Sequence, residues 1–242
     1  MKGIILAGGA GTRLNPLTLV TSKQLLPIYN RPMIYYPLSS LIKAGVKDIL
    51  IIIAPEREKD YRTLLGDGEV FGVTLSYKVQ TAPRGLADAF ILGEDFLKGT
   101  DSVVMVLGDN IFEQDLTEHI NTFSQGARIF AKEVSDPERF GVVTFDENMK
   151  VTSIEEKPQS PKSSYAIPGI YIYDTRVIQF AKELVPSKRN ELEIVDLHNR
   201  YLALGELDVR IIEGEWLDAG TFDSLVYANK IAQERLHKQL VI

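Results

Sequence analysis

Four short apolar runs limit most strongly what this chain can fold into. Gly3–Ala7 (GIILA), Ile49–Ala54 (ILIIIA), Thr74–Val79 and Ser102–Leu107 (SVVMVL) are rich in Ile and Val and bounded by Gly, Pro or Asp. They are too short for buried helices, and the unbroken apolar ones suit strands covered on both faces. Between them, Met33–Ala44 and Leu86–Phe96 carry apolar residues at helical spacing. Repeated strand–helix–strand units predict an α/β fold with a mainly parallel, doubly wound sheet flanked by helices.

Past about residue 127 the pattern changes. Arg128–Val134, Gly141–Phe145, Val151–Glu155 and Ala166–Tyr173 read as strands in close succession, which predicts an antiparallel or mixed portion. Helical stretches follow near Thr175–Leu184 and Leu192–Leu204, then a strand at Asp208–Ile212 and a last helix from about Thr221 to His237. The Pro- and Ser-rich stretch Lys157–Ser164 is short enough to be a loop inside a domain. The expectation is one α/β domain over residues 1–242, its first half spanning about 1–126 and a smaller, strand-rich lobe with a C-terminal helix spanning about 127–242.

Composition removes several function classes. With 27 Lys+Arg against 33 Asp+Glu the net charge is −6, and no run of five like charges occurs. That argues against broad nucleic-acid binding while leaving room for a small anion held by local cations and backbone amides. The absence of cysteine excludes disulfides, a thiolate nucleophile and a Cys-based zinc site. No stretch approaches the roughly 18 apolar residues of a membrane span. The start is too short in its apolar part for a secretory signal, so a cytoplasmic location with no membrane partner is expected. His119, His198 and His237 fit no metal-ligand spacing.

The first run leads straight into Leu6-Ala7-Gly8-Gly9-Ala10-Gly11-Thr12-Arg13. Glycines just past a first parallel strand let backbone N–H groups approach a phosphate closely. A GxGxxG dinucleotide fingerprint fails because Leu14 stands where the last glycine belongs, and no P-loop Gly-Lys-Ser/Thr is present. A plain strand-to-helix turn would need one glycine rather than three within four residues. Arg13 and Lys23 follow in a proline-punctuated loop. Arg can clamp two phosphate oxygens while Lys acts as a point charge.

The string LAGGAGTRLNPLT…SKQLLPI resembles the sugar-phosphate nucleotidyltransferases. The resemblance runs from Gly3 to about Ala228. It implies a Rossmann-like core in the first half, a sugar-binding second half, and transfer of a nucleotidyl group from dTTP (or UTP) to glucose 1-phosphate with release of pyrophosphate. By this likeness Leu6, Gly8, Gly9, Gly11, Thr12 and Arg13 hold the nucleotide. Lys23 meets the reacting phosphates, making Arg13 and Lys23 the catalytic pair. A homodimer or homotetramer is likewise implied. The family's relatives run longer, with extra C-terminal helices that help build a regulatory nucleotide site, so catalysis is expected here with that regulation absent or rebuilt.

Other motifs fit the same frame. Asp109 stands in Leu107-Gly108-Asp109-Asn110, just past a buried strand, and Asp218 in Trp216-Leu217-Asp218-Ala219-Gly220-Thr221. Read alone, the first is also a good turn and the second a good cap. The family pairs two such carboxylates on Mg²⁺, a hard cation bound through one or two carboxylates and substrate phosphates. Gln80 and Gly85, in a loop after the third strand, are the implied base contacts, with Gln24 a further nucleotide contact; an amide can donate and accept simultaneously. For the sugar phosphate the likeness implies Lys23, Gly141, Glu156, Lys157, Ile167, Tyr171, Arg189 and Trp216. Read alone, Glu155-Glu156-Lys157 is a solvated strand end, while Tyr171 and Trp216 are core. Asp88, Pro168 and Asn190 depart from the family's usual residues. Two rival readings stay open, another nucleotide or sugar 1-phosphate, and a nucleotide-sugar sensor without turnover.

Overall fold

A computed structural model describes residues 1–238 and 240–242, apart from the side chain of His237. Each of the four apolar runs forms a strand, at Lys2–Ala7, Asp48–Ile53, Thr74–Val79 and Ser102–Leu107. Ile4, Ile5, Ile49, Ile51, Ile52 and Ile53 are fully buried. Burying such a side chain contributes roughly 1.5–3 kcal/mol, which fixes Lys2–Ala7 and Asp48–Ile53 in the interior, whereas Thr74–Val79 lies at the sheet edge with only Leu75 buried. The α/β class expected from the alternation is found, a mixed sheet with parallel strands flanked by helices.

The chain's contacts divide it into two interleaved units. The first comprises Met1–Pro83, Met105–Thr122 and Gly214–Ile242; the second comprises Arg84–Val104 and Phe123–Glu213. The units exchange at 83/84, 104/105, 122/123 and 213/214, the third of these close to the division expected at about 126. In the second unit, helix Asp88–Leu92 packs on helix Arg176–Glu183. The C-terminal segment returns to the first unit, because strand Trp216–Asp218 pairs antiparallel with Asn110–Phe112.

In the first unit, Asp48–Ile53 lies between Lys2–Ala7 and Thr74–Val79, parallel to both, with Gly3 opposite Ile49 and Asp48 opposite Thr74. Parallel neighbours need crossovers, supplied by helices Tyr35–Lys43 and Glu58–Leu65. The last helix, Phe222–Glu234, opens with a capping box in which Ser224 donates its N–H to Thr221 Oγ1 and Thr221 donates its N–H to Ser224 Oγ. Ala228, Ile231 and Ala232 of this helix pack with Ile28, Met33, Ile111 and Leu217.

In the second unit, Ala127–Glu133 pairs parallel with Leu207–Ile211 and antiparallel with Ile170–Asp174. Gly141–Phe145 and Val151–Glu156 form an antiparallel pair. The expected single strand Ala166–Tyr173 is two, Tyr165–Ala166 and Ile170–Asp174. Pro168 explains the break: it has no N–H for a ladder, and its carbonyl accepts the Ile170 N–H at 2.8 Å. The helix expected over Leu86–Phe96 is confined to Asp88–Leu92. Among the described residues no helix is long and apolar enough to cross a membrane.

Candidate active site

The first strand delivers the chain into the glycine loop. Gly11 has φ 63° and caps a short 3-10 turn, Thr12–Leu14. A Cβ on Gly11 would also stand 3.0 Å from Thr18 Cγ2 and 3.1 Å from Lys23 Cβ. Backbone conformation and packing therefore both demand glycine here. The amides of Gly9, Ala10, Gly11 and Thr12 donate to no carbonyl of the described residues, leaving a row of donors free to face an anion.

Lys23 opens another 3-10 turn, Lys23–Leu25, and its ammonium pairs with the Asp109 carboxylate. Asp109 follows directly on the strand Ser102–Leu107 and Gly108. Pairing of the two short strands sets Asp218 opposite Asn110, and Ala219 donates its N–H to the Asp109 carbonyl at 3.1 Å. Two carboxylates far apart in sequence thus face each other. Burial pushes the Asp109 carboxyl up, but the charge of Lys23 and hydrogen bonds from Lys23 and Asn110 hold it below the usual range. Asp218 moves the other way, up to about 6, through burial first and then the charge of Asp109, against the pull of Lys23 and Arg13.

Arg13 completes the cluster. A Cβ on Gly220 would fall 2.7 Å from Arg13 Nη2 and 3.0 Å from Asp218 Oδ1, so a bare backbone at Gly220 is what lets the guanidinium lie beside the carboxylate. Trp216, expected at the sugar, belongs to this first unit, where its indole N–H donates to Asn110 Oδ1 at 2.7 Å. Asn110 Nδ2 in turn donates to Asp109 Oδ1 at 3.2 Å. Trp216 therefore helps aim Asp109.

Two amides flank the loop. Gln80 Oε1 would lie 3.0 Å from a Cβ on Gly8, and Gln24 Cγ 2.9 Å from one on Gly108. Gln24 is buried and its Oε1 accepts hydrogen bonds from Ser22 Oγ (2.8 Å) and Tyr61 OH (3.2 Å). Leu6 supplies its carbonyl to the Gly108 N–H at 2.9 Å.

The second unit holds a separate constellation. Glu156 is opposite Gly141 in the ladder, and a Cβ on Gly141 would lie 3.5 Å from Glu156 Oε2 and 3.6 Å from Ile167 Cδ1. Lys157 Nζ is 3.3 Å, and Arg189 Nη2 3.0 Å, from Glu156 Oε1. Gly141, Glu156, Lys157, Ile167 and Arg189 therefore come together. Tyr171 lies on the strand Ile170–Asp174, buried, with its ring 5.2 Å from that of His198. Gly85 is also in this unit, in a loop whose Arg84 carbonyl accepts the Leu192 N–H (2.7 Å) and whose Ala87 N–H donates to the Leu192 carbonyl (3.2 Å).

Sequence reasoning missed four residues. Gly220 could have been read from its place in the Asp-x-Gly-Thr segment. Ser22 and Tyr61 carry no sequence signal, since their hydroxyls matter only through the folded position of Gln24. Glu193 was hidden beside Glu191: it is buried, and it grips Arg189 through both carboxylate oxygens.

Facing carboxylates of which one is pushed towards protonation are what a divalent cation would relieve. The donor set fits such an ion: all oxygen, supplemented by the ligand's own phosphates. Among the described residues no cluster of three or more His, Asp or Glu forms a closed metal cage.

The family model described as nucleotidyl transferase matches residues 2–235. A glucose-1-phosphate thymidylyltransferase of Neisseria meningitidis is 55% identical over 239 residues, covering 96% of this chain and 83% of that protein. One from Mycobacterium tuberculosis is 49% identical, covering 94% and 81%. A solved Bacillus anthracis structure assigned as glucose-1-phosphate thymidylyltransferase, in complex with sucrose, superposes with a TM-score of 0.92 at 48% identity over 97% of this chain and 96% of that one. A UDP-glucose pyrophosphorylase complexed with UDP-glucose gives 0.83 at 23% identity, covering 96% and 98%, and shares the fold.

Proposed function

The chain belongs to the nucleotidyl transferase family, and from that premise we propose that it joins dTTP to glucose 1-phosphate, forming dTDP-glucose and pyrophosphate. The observation that carries this reading is the convergence of Arg13, Lys23, Asp109 and Asp218 beside the glycine loop. The relatives at about half identity over nearly the whole chain support the choice of substrates.

A 1-phosphate oxygen is already an anion at neutral pH, so attack on the nucleotide α-phosphorus needs no general base. The difficulty is bringing two anions together and stabilising the charge that develops on the transferring phosphoryl group. In this reading the free amides of Gly9 to Thr12 and the Arg13 guanidinium hold the triphosphate. Lys23 leaves part of its pairing with Asp109 to meet the α-phosphate, and pyrophosphate departs opposite the attacking oxygen. Asp109 and Asp218 would hold Mg²⁺, which when bound supplies positive charge to the phosphates. Gln80, Gln24 and Gly85 would contact the nucleotide. Lys23, Gly141, Glu156, Lys157, Ile167, Tyr171, Arg189 and Trp216 would serve the sugar phosphate, where a carboxylate accepts from sugar hydroxyls and the cations neutralise phosphate.

A matrix of dTTP and UTP against glucose, galactose and glucosamine 1-phosphates, read by pyrophosphate release, tests the assignment. The highest kcat/KM is expected for dTTP with glucose 1-phosphate. A higher value for any other pair replaces the substrate assignment.

A further inference from the structure

Arg189 has five N–H donors, and carboxylates already hold three of them. Nε donates to Glu193 Oε1 at 3.1 Å and Nη2 to Glu193 Oε2 at 2.7 Å, a side-on bidentate grip. Nη2 also donates to Glu156 Oε1 at 3.0 Å. Nη1 donates to none of the described residues.

The two carboxylates are held very differently. Glu193 is buried, and its Oε1 receives a further hydrogen bond from Ser187 Oγ at 2.6 Å. Ser187 is fixed in turn by a closed loop. Its N–H donates to the Glu191 carbonyl, its Oγ accepts the Arg189 N–H at 3.1 Å, and its carbonyl accepts the Asn190 N–H at 2.8 Å. Asn190 sits at φ 60°, a left-handed position that asparagine tolerates better than most residues. Glu156 is more exposed and shares one oxygen between Arg189 and Lys157. Removing a partner from a buried carboxylate is far costlier than removing one from a solvated carboxylate. An incoming phosphate that competes for Arg189 will therefore displace Glu156 and leave Glu193 in place.

We infer that Glu193, steadied by Ser187, is a positioning residue that holds the Arg189 fork ready for the sugar phosphate, while Glu156 is the exchangeable partner that the phosphate releases to the sugar hydroxyls. This rests on the proposed function, because it names how one of that reaction's substrates is gripped.

Glu193→Gln keeps the size and can still accept from Ser187 but loses the charge that orients Arg189. In the pyrophosphate-release assay it is expected to raise KM for glucose 1-phosphate about tenfold, the scale of a charge-assisted hydrogen bond, leaving KM for dTTP and saturated kcat within about twofold. Arg189→Gln, which removes the phosphate contact itself, should raise the same KM at least as far, and the double variant should be no worse than Arg189→Gln alone. A merely structural role would lower the melting temperature and the active fraction without a selective change in KM. Should Glu193→Gln fail to fold, Ser187→Ala decides: a selective rise of about two- to threefold in the same KM supports the inference, and an unchanged KM overturns it. Additive losses in the double variant, or an unchanged KM in a folded Glu193→Gln, overturn it as well. In those cases wild-type turnover stands and only this inference fails; a wild-type protein that releases no pyrophosphate overturns the proposed function and this inference with it.

Discussion

Two charged clusters of this molecule, one in each unit, are built on opposite principles. Around Lys23 and Arg13 in the first unit, two carboxylates are pressed together in the interior, so that one stays ionised and the other is pushed up to about 6. Around Arg189 in the second unit, the guanidinium is met by three carboxylates at 2.7–3.6 Å. The first cluster carries an unresolved repulsion that a phosphate–cation complex can relieve. The second is internally paired, and a ligand enters it by exchange. A field held in reserve suits transition-state stabilisation, whereas paired charges suit selective recognition.

The largest effect should follow from breaking the first cluster. Lys23→Ala is expected to reduce kcat by roughly 10²-fold or more while circular dichroism reports a folded chain. Steady-state rates near wild type would remove Lys23 from the chemistry. Gly220→Ala probes the same cluster more gently. Its Cβ would press on Arg13 Nη2 and Asp218 Oδ1, so kcat/KM should fall roughly tenfold through misplacement of the guanidinium. An unaltered kcat/KM would mean that Arg13 is free to shift without consequence.

Two smaller effects separate burial without charge from burial with it. His198 in the second unit is fully buried, and burial depresses its imidazole from 6.5 to about 3. The unfolded chain takes up a proton below pH 6.5 and the folded chain does not until about pH 3. Stability is therefore complete above that window and falls within it by about 1.4 kcal/mol per pH unit. Urea denaturation at pH 7 and pH 5 should show this loss in wild type and a flatter dependence in His198→Phe. Equal slopes would contradict a buried neutral imidazole. Tyr173→Phe removes the hydroxyl 2.7 Å from His198 Nδ1 and should cost only about 1 kcal/mol in the same measurement. A cost near zero would show that water or a rearranged imidazole replaces the bond.

What the sequence revealed follows from the range of each signal. The run Ile49–Ala54 is legible because its five residues Ile49 to Ile53 are all pulled inside. Helix Glu58–Leu65 was missed because only Tyr61 and Leu65 of it are buried, two apolar positions among charges. The strand pair Asn110–Phe112 with Trp216–Asp218 is a long-range contact between segments that each look like turns. The glycine loop and the carboxylate motifs were legible through likeness to a family. That Asp109 and Asp218 face each other required the fold. The tie between Arg189 and Glu193 was invisible because nothing local distinguishes Glu193 from Glu191; only burial does.

On this reading the first cluster drives turnover and does not merely bind a nucleotide. The most direct measurement incubates the purified chain with dTTP, glucose 1-phosphate and Mg²⁺ and follows nucleotide products and pyrophosphate together by phosphorus NMR. dTDP-glucose and pyrophosphate are expected to appear in equal amounts, ceasing on chelation of the metal. Saturable dTTP binding by calorimetry with no pyrophosphate formed would contradict this reading and leave a nucleotide-binding sensor in its place.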